Sequence, residues 1–537
     1  MGKVARYFFD VKIYKMICVS VFMLIPSFVF CFFPQAVSAA MLAWGALIML
    51  RDLLKRQDFT KQTGSLLLIL FCVGYIVTLL LYAKNDLVGT VHVFCWTILE
   101  FFLLYTLDSR RENGTGDLLE EIYDINIPII WVALVSGIVS LGFFFTKTSI
   151  IMPDPEGKNL FWSMGIVNGR NSGVFNNAIP CANAMFLGVV CALYNMLSPR
   201  KKGAAENAVY ILTVIVCFLC TLTTLTRTYI YGLYFCIFVA AFVGLYQIIR
   251  RKDGKNWTRF VSALCLAAVL TVLTMGVAEI AKQAMVTVVQ STSINSVILN
   301  VEGFAQGDND QTKVPSSDSA TDESADDSEP ENQAPSVDTE ALKQEITSQL
   351  GLNTAVDLNR EELDRLPNFL YPRDELWKVA LQVIPHSPVF GFTTGNNQMA
   401  SVAYGTTDYR VKHYPEGIIT YHNSYFDIAA AAGLLGLGLL LAFLGLQIVR
   451  ALRVIFTRDL PVNHSRMKLC YGVLIGYLAT HVLITSMFFT ALVLNNMCVC
   501  LYFWVVLGAV SRISDCELNR PGVLAAASLV PQFLKRK

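Results

Sequence analysis

Charge is scarce in this chain. Asp, Glu, Lys and Arg make up 15% of its 537 residues, where a soluble domain carries about 25%. The hydrophobic share is 54% and the mean hydropathy is +0.50. Cysteine is absent from the whole stretch 282–421, and thirteen of the fourteen cysteines, all but Cys516, fall in apolar runs. A disulfide-stapled outer domain is thereby excluded. Missing too are a zinc-type ligand spacing, a P-loop, a glycine-rich dinucleotide fingerprint and a convincing internal repeat. Cys217 and Cys220 form a C-x-x-C inside an apolar run with no second pair, which reads as small apolar filler. No metal, no cofactor and no nucleic acid is expected.

What is present is a series of apolar runs, each about as long as a bilayer crossing requires. Twelve are read as spans: 15–33, 35–50, 65–82, 88–107, 126–145, 178–197, 207–226, 229–248, 260–281, 424–449, 468–489 and 491–511. The second is short, and the first two could also be read as a hairpin. The stretch "PQAVSAA" at 34–40 resembles a cleavage site, but the apolar run continues to Leu50, so the segment is read as membrane-embedded. With the N-terminus in the cytoplasm, 28 of the 42 Lys and Arg residues fall on the cytoplasmic side, as the positive-inside rule requires. Nine of the rest lie in 282–421 and five in short outer loops. The expected fold is an all-α polytopic membrane protein of about twelve transmembrane helices with a large, partly disordered outer loop containing short helices.

The domain reading follows. Residues 1–281 carry helices 1–9, 282–421 form the extracytoplasmic loop, 422–511 carry helices 10–12, and 512–537 are a cytoplasmic tail. Within the loop, 307–340 is acidic, Ser-rich and almost free of large apolar residues, too poor in buriable surface to fold. Residues 341–421 are read as a helical cap. "DTEALKQEITSQL" and "RDELWKVALQVI" have helical spacing and end at Gly351 and Pro385.

Four residues stand out on the outer side. Arg170 precedes span 6, Arg227 sits between spans 7 and 8 with hardly a loop around it, Arg373 opens a cap helix, and His422 opens span 10 in "YHNSYFDIAAAAGLLGLGLLLAFLG". Each has a plain structural reading: arginines anchor helix ends by reaching headgroups, and a histidine can cap a helix. Taken together, three guanidinium groups and an imidazole on one membrane face suit an anionic, lipid-linked substrate. Arg is the natural clamp for phosphate oxygens, and imidazole is the natural proton acceptor near neutral pH. His386 and His413 lie in the same outer loop. His92, His481 and Glu100 are within spans and read as internal polar contacts.

The motifs resemble, in order, those of the O-antigen ligase and polymerase superfamily. "GRNSGVFNNAIPCANA" looks like that family's Arg…Gly-x-Phe-x-Asn segment, and "LTRTYI" like its Arg-Thr at a span end. "RDELWKVALQVIPHSPVFGFTTG" resembles its Arg-x-x-x-Trp…Pro-x-x-Gly block, and "HNSYFDIAAAAGLLG" its His-Asn…Gly-x-x-Gly. The likeness covers about 165–445. In two places the chain departs. Ala431 stands where the family often has an acidic residue, with Asp427 one turn earlier, and Gly391 is followed by Phe-Thr-Thr before Gly395.

The resemblance implies a C-type glycosyltransferase-like enzyme of a bacterial plasma (inner) membrane, metal-independent and inverting. It would use a polyprenyl diphosphate-linked glycan as donor and a glycan or lipid as acceptor. It implies His422, Arg373 and Arg227 as catalytic residues, with Arg170, Asn423, Asn176, Trp377 and Asp427 contacting substrate. The glycines after His422 are expected to let span 10 pack closely on a neighbour. Whether the product is a lengthened polymer or a ligated glycan stays open. So do a transporter or flippase of lipid-linked oligosaccharide and a non-enzymatic receptor or assembly protein.

Overall fold

The computed structural model describes residues 3–54, 62–82, 86–106, 115–152, 162–167, 169–250, 256–292, 296–299, 373–405, 420–457 and 465–519. The acidic segment 307–340, the helix expected over 338–350, and His413 lie outside the described residues, as does the tail from 520 onward.

After a short helix at Lys3–Phe8, the chain builds α1 (Val11–Leu24), α2 (Pro34–Leu54), α3 (Ser65–Tyr82), α4 (Leu87–Leu99, continued by a π turn Glu100–Leu104) and α5 (Thr115–Phe145). Next come α6 (Ala178–Leu197), α7 (Ala204–Thr223), α8 (Arg227–Ile249) and α9 (Asn256–Ser291). The cap contributes α10 (Arg373–Val383) and α11 (Asn397–Tyr404). The bundle closes with α12 (Ser424–Thr457), α13 (Ser465–Thr480, continued through a π turn to Phe488) and α14 (Cys498–Leu518). Among the described residues eleven helices are long and apolar enough to cross a membrane. This is an integral, mostly helical membrane protein.

The run expected as the first span is different. It stays helical only to Leu24, and Pro26 and Pro34 bracket turns where a continuous helix would need donors they lack. There Ser27 pairs with Phe175 as an isolated β-bridge, and the Asn176 amide donates to the Pro26 carbonyl at 3.0 Å. α9 also runs to Ser291, ten residues past the boundary expected at 281.

Burial orders the bundle. α14 is enclosed almost throughout, with Tyr502, Phe503 and Trp504 fully buried. α9 is the least buried span and presents Val269, Val272, Leu273, Val277 and Ile280 outward. A helix apolar all round and left uncovered has lipid as its solvent. α13 lies against α8 where Gly476 leaves no room for a side chain: a Cβ there would stand 2.5 Å from the Cys236 carbonyl. Such small-residue contacts drive helix pairing where lipid tails remove the hydrophobic force. At the end of the bundle away from the cap, Lys12 and Arg200 both meet Asp124, and Arg450 meets Asp515.

A feature the sequence reading missed is a four-stranded sheet, ordered β3-β2-β1-β4. Its strands are β1 (Thr148–Met152), β2 (Trp162–Val167), β3 (Arg170–Gly173) and β4 (Ser296–Leu299). β1 pairs antiparallel with β2 and parallel with β4, so the sheet ties the α5–α6 connection to the chain beyond α9. It matters for function because Arg170 begins β3.

Candidate active site

Arg170 is placed from below by Asn171. The Asn171 amide donates to the Ser140 carbonyl of α5 at 3.2 Å and to the Thr223 hydroxyl at the end of α7 at 2.9 Å. That clamps β3 against two helices and aims Arg170 at the tight α7–α8 turn. There its Nε donates to the Thr224 carbonyl at 3.0 Å and its Nη2 to the Thr226 hydroxyl at 2.9 Å. The turn needs such a brace, since Leu225 takes a left-handed φ of 52°, which is unfavourable for a branched residue. Arg227 follows immediately as the first residue of α8. Arg170 and Arg227, 57 positions apart in sequence, are thus joined through one three-residue turn.

Arg373 completes the group from the cap. It opens α10, and its guanidinium lies over the rings of Phe488 and Phe489, 5.3 and 5.4 Å from their centroids. Burial lowers its pKa below the ordinary arginine value, Tyr229 acts the other way, and the neighbouring charge of Arg227 lowers it further. Two guanidinium groups therefore feel each other in a partly desolvated place, an arrangement that an anion between them would relieve. Tyr229 stacks on Phe489 at 5.7 Å, so the aromatic floor is continuous with α8. One turn along α10, Trp377 packs on Phe488 and Phe426 with centroids 6.3 and 5.9 Å away. Phe426 carries the path to α12.

His422 sits on a loop that Asp427 organises. The Asp427 carboxylate is buried; it accepts the Tyr421 amide at 2.7 Å and the Thr420 hydroxyl at 3.0 Å, together with the Thr490 hydroxyl. A buried carboxylate needs this many donors to remain in place. The Thr420 hydroxyl also takes the His422 amide at 3.1 Å. These bonds hold His422 at a left-handed φ of 51°, a strained position for a non-glycine residue. The side chain is partly exposed while Tyr421, Asn423 and Ser424 around it are buried, so the imidazole is the polar group this loop presents. Asn423 caps α12, accepting the Tyr425 and Phe426 amides at 2.9 and 3.2 Å.

Arg170, Arg227, Arg373, Trp377, Asp427, Asn423 and His422 thus follow one another through direct contacts or shared neighbours. Asn176 stands apart, exposed beside Pro26 and bonded to it through its backbone. His386, the other outer histidine described, stacks on Tyr404 at 3.9 Å. Thr420, Thr490 and Tyr229 belong to the group and escaped the sequence reading; Thr490 lay in what looked like the junction of two spans.

Gly436, as expected, sits close to a neighbouring span, where a Cβ would lie 3.4 Å from Phe71 of α3, but Gly433 does something else. α12 breaks at Gly433 (φ 69°, ψ 178°). The freed backbone groups are taken by the cap: Phe392 N–H donates to Ala430 O at 2.7 Å, Thr393 N–H to Ala431 O at 3.0 Å, and Leu434 N–H to Pro388 O at 2.7 Å. Gly391, also at positive φ, faces the break, and a Cβ on it would lie 2.5 Å from the Gly433 nitrogen. A Cβ on Gly433 would run into the Val389 carbonyl. The Pro-x-x-Gly and Gly-x-x-Gly blocks are two halves of one backbone interlock. Gly433 serves the cap rather than a neighbouring span.

Fold and site together define a polytopic membrane protein that gathers arginines and a histidine at one end of its bundle, beneath a small cap. The O-antigen ligase family model matches residues 212–441, a stretch that holds Arg227, Arg373 and His422. No curated protein matches the chain.

Proposed function

We propose that the protein transfers a saccharide from a polyprenyl diphosphate-linked donor to a glycan or other acceptor at the outer face of a bacterial plasma membrane. The observation that carries this reading is the joining of Arg170, Arg227 and Arg373 to the Asp427-supported His422 loop. In this reading the termini are cytoplasmic and the cap is outside. Arg227 and Arg373 hold the donor diphosphate, and Arg170 fixes the turn that presents Arg227. His422 accepts the proton of an acceptor hydroxyl, whose oxygen attacks the anomeric carbon on the face opposite the diphosphate. The bond from that carbon to the diphosphate oxygen breaks, and the leaving diphosphate keeps the electron pair. Fixed guanidinium charges stabilise that developing charge in a low-dielectric setting, so no metal is required. The product is a β-configured linkage from an α-linked donor, or the reverse.

The test is reconstitution with a polyprenyl diphosphate-linked glycan, scored for chain lengthening, ligation or movement across the bilayer. His422→Ala should abolish transfer and keep donor binding. Arg227→Lys should be nearly as damaging as Arg227→Ala, because a bidentate fork is lost in both. Movement of the intact donor without glycosidic transfer would replace the enzyme reading with transport.

A further inference from the structure

A cavity of about 790 Å3 is walled by α1, α2, α4 and the starts of α6 and α14, and Arg170, Arg227 and Arg373 are not among its lining residues. Its polar lining is Gln35, Ser38, Asp86, His92, Asn183 and Asn496. The Ser38 hydroxyl is a hub: it meets His92 Nε2 at 2.9 Å and accepts Trp96 Nε1 at 3.1 Å and Asn496 Nδ2 at 3.3 Å. Asn183 is 3% exposed; among the described residues its carbonyl oxygen makes no hydrogen bond of good geometry, and Tyr229 of the site lies beside it. A buried acceptor left open costs about 1–3 kcal/mol, which a ligand donor would recover.

An apolar cavity of about 540 Å3 adjoins it, and Ala39 lines both. Ala39, Ala43 and Ala46 recur on one face of α2, and their small side chains open a channel against Cys95, Ile98 and Phe102 of α4. The lining extends to Leu53, 14 residues along the helix, or about 21 Å of depth. A polar chamber that continues into an apolar groove of that length has the shape of a lipid with a polar head.

The head that fits can be specified. Among the described residues the polar chamber is lined by one carboxylate, one imidazole, three side-chain amides and a serine hydroxyl, with neither Lys nor Arg. A diphosphate entering there would meet Asp86 and, among the described residues, no Lys or Arg to offset it, whereas sugar hydroxyls can both donate to Asp86 and Asn183 and accept from Asn496. We propose that this pair of cavities seats a glycolipid with an uncharged, hydroxyl-rich head and an aliphatic chain lying along α2 and α4. In the transfer reaction proposed above, and resting on that reading, it is the acceptor's seat. The segment 489–497 joins the two places: Thr490 bonds Asp427 beneath His422, while Asn496 and Met497 line the chamber.

The experiment is direct binding to the full chain, purified in a non-glycosidic detergent, of tritiated dodecyl maltoside below its micellar concentration. Saturable binding is expected. Ala43→Trp, which fills the groove from a lipid-exposed position, and Asn183→Leu, which removes the open acceptor, should each weaken it at least tenfold. They act at opposite ends, so misfolding of one leaves the other informative. Dodecyl phosphate should compete at least tenfold more weakly than unlabelled maltoside. Unsaturable binding, equal binding by wild type and Ala43→Trp (annular detergent only), or equal competition by dodecyl phosphate would overturn the proposal. Because binding is read without turnover, maltoside binding with no transfer to any acceptor would fell the reaction and spare the seat; transfer without such binding would do the reverse.

Discussion

Two stretches of irregular backbone are buried in this bundle, and they are satisfied in different ways. At Gly433 the open amides and carbonyls of α12 pair with the backbone of the cap loop 388–393. Along 489–497, between α13 and α14, the partners are side chains. The Ser424 hydroxyl donates to Phe489 O at 2.7 Å and accepts Ala491 N–H at 2.8 Å. His481 Nε2 lies 2.6 Å from Ala491 O, Trp504 Nε1 donates to Leu492 O at 2.8 Å, and Leu494 N–H donates to Thr97 Oγ1 at 3.1 Å. Both obey the rule that backbone polar groups in a membrane must be met inside the protein. The difference lies in what can be lost. A backbone–backbone seam fails at once when any side chain intrudes; a seam of side-chain donors can lose them one at a time.

The largest effect is therefore expected at Gly433. Gly433→Ala puts a Cβ into the Val389 carbonyl at a positive φ. It should separate the cap from α12, costing more than about 3 kcal/mol by clash and lost hydrogen bonds. Transfer should vanish, and limited proteolysis should cut within 373–405 where the wild type resists. A stable, active Gly433→Ala enzyme would show that the seam is dispensable.

Next comes the carboxylate that both seams approach. Asp427→Asn keeps the volume but weakens the bonds to Tyr421 N–H, Thr420 and Thr490. Charged hydrogen bonds are worth about 1.5–3 kcal/mol each, so losing the charge on one should lower transfer about 10–100-fold. Donor binding through the arginines should survive. Equal losses in donor binding and transfer would mean that Asp427 supports the whole cap and not the His422 loop in particular.

Much of this was legible in the sequence because membrane spans announce themselves locally. Eleven of the expected spans stand as helices because each is a long apolar run; Arg170, Arg227 and His422 stood out as charges or imidazole where such runs begin, and Arg373 where a cap helix does. What stayed hidden depends on contacts between distant residues. Thr490 and Asp427 are 63 positions apart, and nothing local in "FFTALVLNN" separates a buried irregular segment from the start of a helix. β1 to β3 were hidden because each strand is only four to six residues long, and the fourth strand that β1 pairs with comes from beyond α9. The glycines were visible, but their purpose was not: a kink for a docking backbone and a smooth face for a neighbouring helix look the same in one dimension.

A smaller loss is expected when one donor leaves the side-chain seam. Ser424→Ala strands Phe489 O and Ala491 N–H together and should cost about 1–3 kcal/mol, seen as earlier thermal aggregation of the purified protein. Trp504→Phe removes a single donor, to Leu492 O, which Cys500 also reaches, and should cost less. If Trp504→Phe proved as harmful as Gly433→Ala, the two seams would not differ in the graded way proposed.

The smallest effect sharpens the contrast within α12 itself. Gly438 and Gly445 lie beyond the break, and a Cβ on either would meet nothing within 4 Å. They are helical glycines without a packing duty. Alanine there removes backbone freedom that the unfolded chain would otherwise keep, and it should stabilise by about 0.5–1 kcal/mol. Gly438→Ala should leave transfer at the wild-type rate and raise the aggregation temperature slightly, while Gly433→Ala, five residues earlier in the same motif, removes activity. The pair decides what the glycines are for. If both variants behave alike, the break at Gly433 is not the feature that fastens the cap; if they diverge, the fastening lies in that one residue's backbone.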